Sequence, residues 1–163
     1  MTGKSPVAIH VDAAAQRLDL SVDGRVVRSY PVSTGLKGLG EQFGSEQTPR
    51  GELSVRIKVG EGAPPGAVFV GRRATGEVYS PALAARFPAR DWVLSRILWL
   101  TGRQPGINRG GNCDTLRRFI YIHGTPDSEP MGVPASHGCI RMRNADVIDL
   151  FDRVDNGTPV TIG

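Results

Sequence analysis

The chain has only two cysteines, Cys113 and Cys139, in 163 residues. That is too few for a disulfide scaffold, and leaves one bridge or one free catalytic thiol. Long apolar runs are missing: nothing approaches the ~18 residues of a membrane span. Aromatics are only 6 % and no block of five like charges occurs, so a base-stacking nucleic-acid platform is not expected. No period repeats along the chain, which excludes solenoids and coiled coils. The sequence shows no signal peptide, because His10 and Asp12 interrupt the first apolar stretch before it reaches the ~7 residues a leader needs. As it stands the sequence reads as cytoplasmic; a trimmed leader would place the protein in the periplasm or cell wall.

Lysine is scarce as well. The basic side is 17 Arg against 3 Lys, opposed by 16 acidic residues, for a net charge of +4. Such a mild excess suits a small anionic substrate through steering without selecting one. Arg72–Arg73 and Arg117–Arg118 are read as solvated faces in preference to phosphate or carboxylate clamps. A chain of this length is one domain, 1–163, and buries about two-thirds of its unfolded surface without metal or disulfide. The 21 Gly and 12 Pro are spread out and mark many turns.

The first third alternates as strands do. Leu18, Leu20 and Val22 interleave with Asp19, Ser21 and Asp23. Asp23-Gly24 predicts a two-residue hairpin turn with Arg25–Ser33 as the return strand. Residues 35–49 form a glycine-rich loop. Leu53, Val55, Ile57 and Val59 are expected on one face of a strand, and 68–70 and 78–79 are short strand candidates. Residues 91–100 change to helical spacing through Trp92, Val93, Ile97 and Leu100, with Asp91 as cap. Trp92, Leu98 and Trp99 would then line a cleft under a helical lid, or pack in the core. Residues 117–123 predict a strand, and Asn144 caps a last helix carrying Val147, Ile148, Phe151 and Val154 inward. Many short strands with few helices predict a mainly β sandwich or barrel-like fold.

The informative stretches are Tyr121-Ile-His-Gly-Thr-Pro-Asp127 and Ala135-Ser-His-Gly-Cys-Ile-Arg-Met142. Alternation puts Phe119, Tyr121 and His123 on one face of a strand, opposite Ile120 and Ile122. It likewise puts Cys139 and Arg141 opposite Ile140 and Met142. A guanidinium beside a thiol favours thiolate, and an adjacent histidine can activate it as a nucleophile. Gly138 lets the backbone turn so that successive N–H groups converge on an oxyanion. Each histidine alone reads as a structural residue; two histidines and a cysteine within 17 positions, among Gly and Ser, point to acyl transfer. A zinc module from Cys113, His123, His137 and Cys139 is the competing reading, though its spacings are not those of paired zinc knuckles. Cys113 is read as a small, incidental loop residue.

His123-Gly124 followed by Ser136-His137-Gly138-Cys139-Ile140-Arg141 resembles the signature of the L,D-transpeptidase catalytic domain (YkuD) family. Thr48-Pro49-Arg50-Gly51 resembles that family's upstream Thr-Pro-x-Gly segment. The resemblance implies an L,D-transpeptidase-like β-sandwich with one or two short helices, and no cofactor or metal. It implies a cysteine acyl-enzyme formed at the diaminopimelate–D-Ala bond of peptidoglycan tetrapeptide stems. Cys139 would be the nucleophile, His123 its base, and the Gly124 backbone carbonyl the group orienting His123. The N–H groups of His137, Gly138 and Cys139 would form the oxyanion hole. Arg141, Ser136 and Tyr121 would bind substrate or support the site. Partners would be stem peptides or muropeptides, with carbapenem-type β-lactams as inhibitors. Water is the expected acyl acceptor, as in an L,D-carboxypeptidase of muropeptide recycling; an amine acceptor, forming cross-links, is the alternative.

Overall fold

The computed structural model describes residues 6–163, so residues 1–5 of the leader reading lie outside it. Ten strands and two short helices follow in order: β1 Val7–Asp12, β2 Arg17–Val22, β3 Arg25–Pro31, β4 Gly51–Val59, β5 Ala67–Val70, β6 Arg73–Val78, α1 Pro81–Arg86, β7 Val93–Gly102, β8 Tyr121–Thr125, β9 Ile140–Arg143, α2 Asn144–Arg153 and β10 Pro159–Ile162. They form one curled sheet in the order β3-β2-β1-β10-β4-β7-β5-β6, with β8 branching from β7 and β9 from β8. The β1–β10 and β8–β9 pairs are parallel. The mainly β expectation holds.

Asp23 and Gly24 both take positive φ, 52° and 77°, as the two-residue turn between twisted strands requires. One cluster joins Leu18 and Leu20 of β2, Leu53 and Val55 of β4, Leu98 and Leu100 of β7, Ile122 of β8 and Ile140 and Met142 of β9. Val147, Leu150 and Phe151 of α2 close it from the side. Ile57 leaves the expected face, because the β4–β7 register shifts between Val55 and Ile57, and a bulge turns the following side chain over.

The helix expected over 91–100 is strand β7. This strand pairs with β4, β5 and β8, and apolar neighbours cover both its faces. Leu98 and Leu100 enter the main cluster, Leu94 meets Trp92 and Ile97 meets Tyr121. A strand buried on both faces loses its period of two and reads as a continuous apolar run. No helical lid forms there: Leu98 is fully buried, and Trp92 packs edge-on against Tyr79 at 5.2 Å.

The strand predicted from residue 117 begins only at Tyr121. Arg118 N–H turns back to the carbonyls of Asp114 and Thr115, and Phe119 N–H to that of Leu116. Phe119 then sits at φ 56°, half exposed. Asn144 is not the helix cap either. Arg143 holds the cap position, while the Asn144 side chain donates to Thr125 O (3.0 Å) and accepts from Ser95 Oγ (2.6 Å). It ties α2 to β7 and to the end of β8.

Candidate active site

The parallel β8–β9 pair sets the site. Its register places His123 beside Arg141. Ile122, Ile140 and Met142 fill the core, so alternation turns Tyr121, His123, Cys139 and Arg141 to the opposite face. The half-buried thiol is held by backbone. Cys139 Sγ accepts from Tyr121 N–H at 3.3 Å and donates to Phe119 O at 3.4 Å. His123 is 1 % exposed, with Nδ1 2.6 Å from Gly124 O. A carbonyl only accepts, so Nδ1 carries the proton and Nε2 presents a lone pair.

That carbonyl is fixed by its own glycine. A Cβ on Gly124 would stand 2.5 Å from Leu94 O and 2.7 Å from Asn144 Oδ1, so β7 packs on this backbone too closely for any side chain. Burial pushes the Cys139 thiol up to about 11, against the opposing pull of Tyr121 N–H and of Arg141 and Arg118. Burial also lowers the His123 imidazole, although its bond to Gly124 pulls the other way. Near neutral pH the resting pair is therefore a neutral thiol and a neutral imidazole. The expected thiolate bias from Arg141 is present but outweighed, first by burial of the thiol and then by the Asp91 carboxylate, which pairs with Arg141 Nη2 at 3.0 Å.

The turn before the thiol is tied from two sides. Ser136 Oγ accepts from Gly138 N–H (3.1 Å) and donates to Cys139 O (2.5 Å). Gly138 N–H is thus occupied, and it is the His137 and Cys139 N–H groups that remain for an oxyanion. Thr48, fully buried, accepts from Gly35 N–H (2.9 Å) and donates to Gly138 O (2.8 Å). A trans peptide points its N–H opposite its C=O, so Thr48 aims the Cys139 N–H away from itself. Gly138 takes φ 120°, and a Cβ there would press on Gln47 O at 3.1 Å. Thr48→Val keeps the shape but leaves two buried backbone groups unmatched, at about 1–3 kcal/mol of stability. We expect kcat to fall roughly tenfold with KM little changed, and Thr48→Ser to restore it; steady-state kinetics of the two variants check this.

Other residues depart from their sequence readings. Arg118 is half-buried and grips the 35–49 loop through Gly40 O, Ser45 Oγ and Gln47 O. Arg72 lies 4.7 Å from the Trp99 and Phe119 ring centroids and donates to the Tyr121 hydroxyl at 2.9 Å. Neither is a solvated face, whereas their neighbours Arg73 and Arg117 are exposed as expected, and Tyr121 is held in an arginine–aromatic stack. The His137 side chain is exposed and faces Glu46 at 3.5 Å. Both cysteines are free, and Cys113 bonds only its own turn, at Gly110 O. Among the described residues no three His, Cys, Asp or Glu side chains gather as metal ligands. The sequence reading missed Asp91, Asn144 and Arg118 as site neighbours. Asp91 looked like a helix cap, and nothing local marks Arg118 as a loop clamp.

The sequence profile of the L,D-transpeptidase catalytic domain (YkuD) matches residues 6–162. The chain belongs to this family. YkuD of Bacillus subtilis (strain 168), an L,D-transpeptidase by name, is 31 % identical over 158 residues, covering 96 % of this chain and 66 % of the relative. An L,D-transpeptidase from Mycobacterium smegmatis shares the fold at TM-score 0.57 and 23 % identity, over 98 % of this chain and 59 % of that one. An LD transpeptidase solved in complex with imipenem does so at TM-score 0.58 and 20 % identity, over 98 % of this chain and 59 % of that one. The chain thus spans about two-thirds of the curated relative and three-fifths of these structures. Among the described residues no helix is long and apolar enough to cross a membrane.

Proposed function

We propose that the chain is a cysteine acyl-transfer enzyme acting at the diaminopimelate–D-Ala bond of peptidoglycan tetrapeptide stems. One observation carries this reading: Cys139, immediately before β9, falls by alternation on the face of the β8–β9 pair that carries His123, and His123 Nδ1 is locked to Gly124 O. That lock leaves Nε2 as the only basic nitrogen. As Cys139 Sγ attacks the carbonyl carbon, His123 Nε2 takes the thiol proton. The N–H groups of His137 and Cys139 receive the developing oxyanion. His123 then returns the proton to the leaving D-Ala amine, and the thioester remains. The acceptor attacks with His123 again as base.

Water is the acceptor this site admits most readily. The thiol is half-buried and cavities lie on both flanks of the neighbouring His137, whereas efficient aminolysis needs water excluded. Incubation with a purified tetrapeptide stem, followed by mass spectrometry, tests both levels. Release of free D-Ala and a tripeptide supports hydrolysis. A product of two stems less one D-Ala, forming faster than the tripeptide, replaces water by an amine as main acceptor. No release of D-Ala rejects the reading.

A further inference from the structure

Beside the site lies a cavity of about 260 Å³, lined in part by Arg90, Asp91, Glu129, His137 and Arg141. Its charges are mixed. Arg141 is buried, with a side chain only 9 % exposed, and its Nε meets no acceptor among the described residues. Its other contacts are Ala135 O at 3.3 Å and Asp91 Oδ1 at 3.0 Å. The Asp91 side chain is 47 % exposed and lines the cavity. The Glu129 carboxylate has no hydrogen-bond or ion-pair partner among the described residues. Arg90 leans on the Trp92 ring at 4.8 Å and reaches Glu77 at 3.3 Å.

A ligand with one sign of charge meets repulsion here. A bare carboxylate faces Asp91 and Glu129, and a bare ammonium faces Arg141 and Arg90. The volume holds a head group and a few carbons rather than a whole stem. His137 also lines a second cavity, of about 210 Å³, together with Arg118 and Phe119. The mixed-charge cavity therefore opens on one flank of the residue that precedes Gly138-Cys139.

We propose that this cavity seats an amino-acid head group, a single carbon bearing both ammonium and carboxylate, with the carboxylate on Arg141 and the ammonium between Asp91 and Glu129. The source of that head group in a stem rests on the acyl-transfer reading above. It is the free end of the third residue of the donor, because the amine of an acceptor must be unprotonated and at the thioester to attack and so is not the ammonium held here. Asp91 and Glu129 then act as specificity residues, rejecting third residues whose side-chain ends lack either charge.

Binding tests the cavity apart from catalysis. The probes are meso-diaminopimelate, heptanedioate (no ammonium) and 1,5-diaminopentane (no carboxylate), titrated into the full chain and read by amide NMR shifts. We expect only diaminopimelate to shift Asp91, Trp92, Thr125 and Ala135, and its affinity to fall about five- to tenfold in Glu129→Gln, the loss of one charge-assisted contact. Equal shifts with heptanedioate, or none at those amides with any probe, overturn the proposal. Turnover of a diaminopimelate stem then assigns the source. A raised KM for hydrolysis in Glu129→Gln places the head group in the donor; an unchanged KM overturns it. Diaminopimelate binding without turnover of any stem supports the cavity and defeats the acyl-transfer reading.

Discussion

Cys139→Ala is expected to lower kcat/KM for D-Ala release by about 10⁴-fold or more, the scale on which loss of a covalent nucleophile acts. No other group in the described site can replace it. Cys113 bonds only within its own turn, so Cys113→Ala should leave turnover within about twofold of wild type. The fold should survive both changes. The Cys139 thiol is half-buried, and its loss leaves Tyr121 N–H and Phe119 O without that partner, so a stability loss of about 1–3 kcal/mol is expected. Thermal unfolding checks this. The same pair of variants tests the inhibitor class. Imipenem should add its mass to the wild type and to Cys113→Ala, and not to Cys139→Ala. Equal loss of activity in both cysteine variants would point to a shared structural role and sink the nucleophile assignment.

Much of this site was legible because its parts are close in sequence. Ser136 to Arg141 form one turn and one short strand, so spacing alone fixed which side chains share a face. The hairpin at Asp23-Gly24 was legible for a similar reason, since a local backbone demand selected the residues. What escaped reading came from long-range packing. Strand β7 lost its alternation because both faces are covered, so its apolar run took on helical spacing. Asn144 looked like a cap, yet its partners are Ser95 and Thr125, brought to it by the sheet. Arg118 and Arg72 looked solvated, because no local pattern records that loop 35–49 or the Trp99 ring folds against them. The thiolate bias expected from Arg141 exists but is outweighed at long range, because the fold buries the thiol and brings Asp91 to it from far along the chain.

The neutral state of the resting pair makes His123→Gln the second decisive variant. Glutamine can keep a hydrogen bond to Gly124 O but offers no basic nitrogen, so kcat should fall about 10²- to 10⁴-fold with the fold retained. The pH dependence follows from burial. An imidazole lowered from its ordinary 6.5 stays neutral as pH drops through that value, so wild-type kcat/KM should hold there and decline only at more acid pH. The unfolded chain binds that proton first. Stability contributed by the neutral buried ring is therefore complete above 6.5 and is lost as pH falls towards the folded-state value. His123→Gln should remove this part of the acid sensitivity in thermal unfolding. At the thiol, a value of about 11 predicts slow alkylation by iodoacetamide at pH 7, rising steeply with pH. The histidine variant should alkylate at nearly the wild-type rate at pH 7, because no ion pair is there to lose. If alkylation at pH 7 is fast in the wild type and collapses in His123→Gln, a resting thiolate–imidazolium pair exists and the neutral-pair mechanism is wrong. If turnover survives in the variant, His123 is not the base.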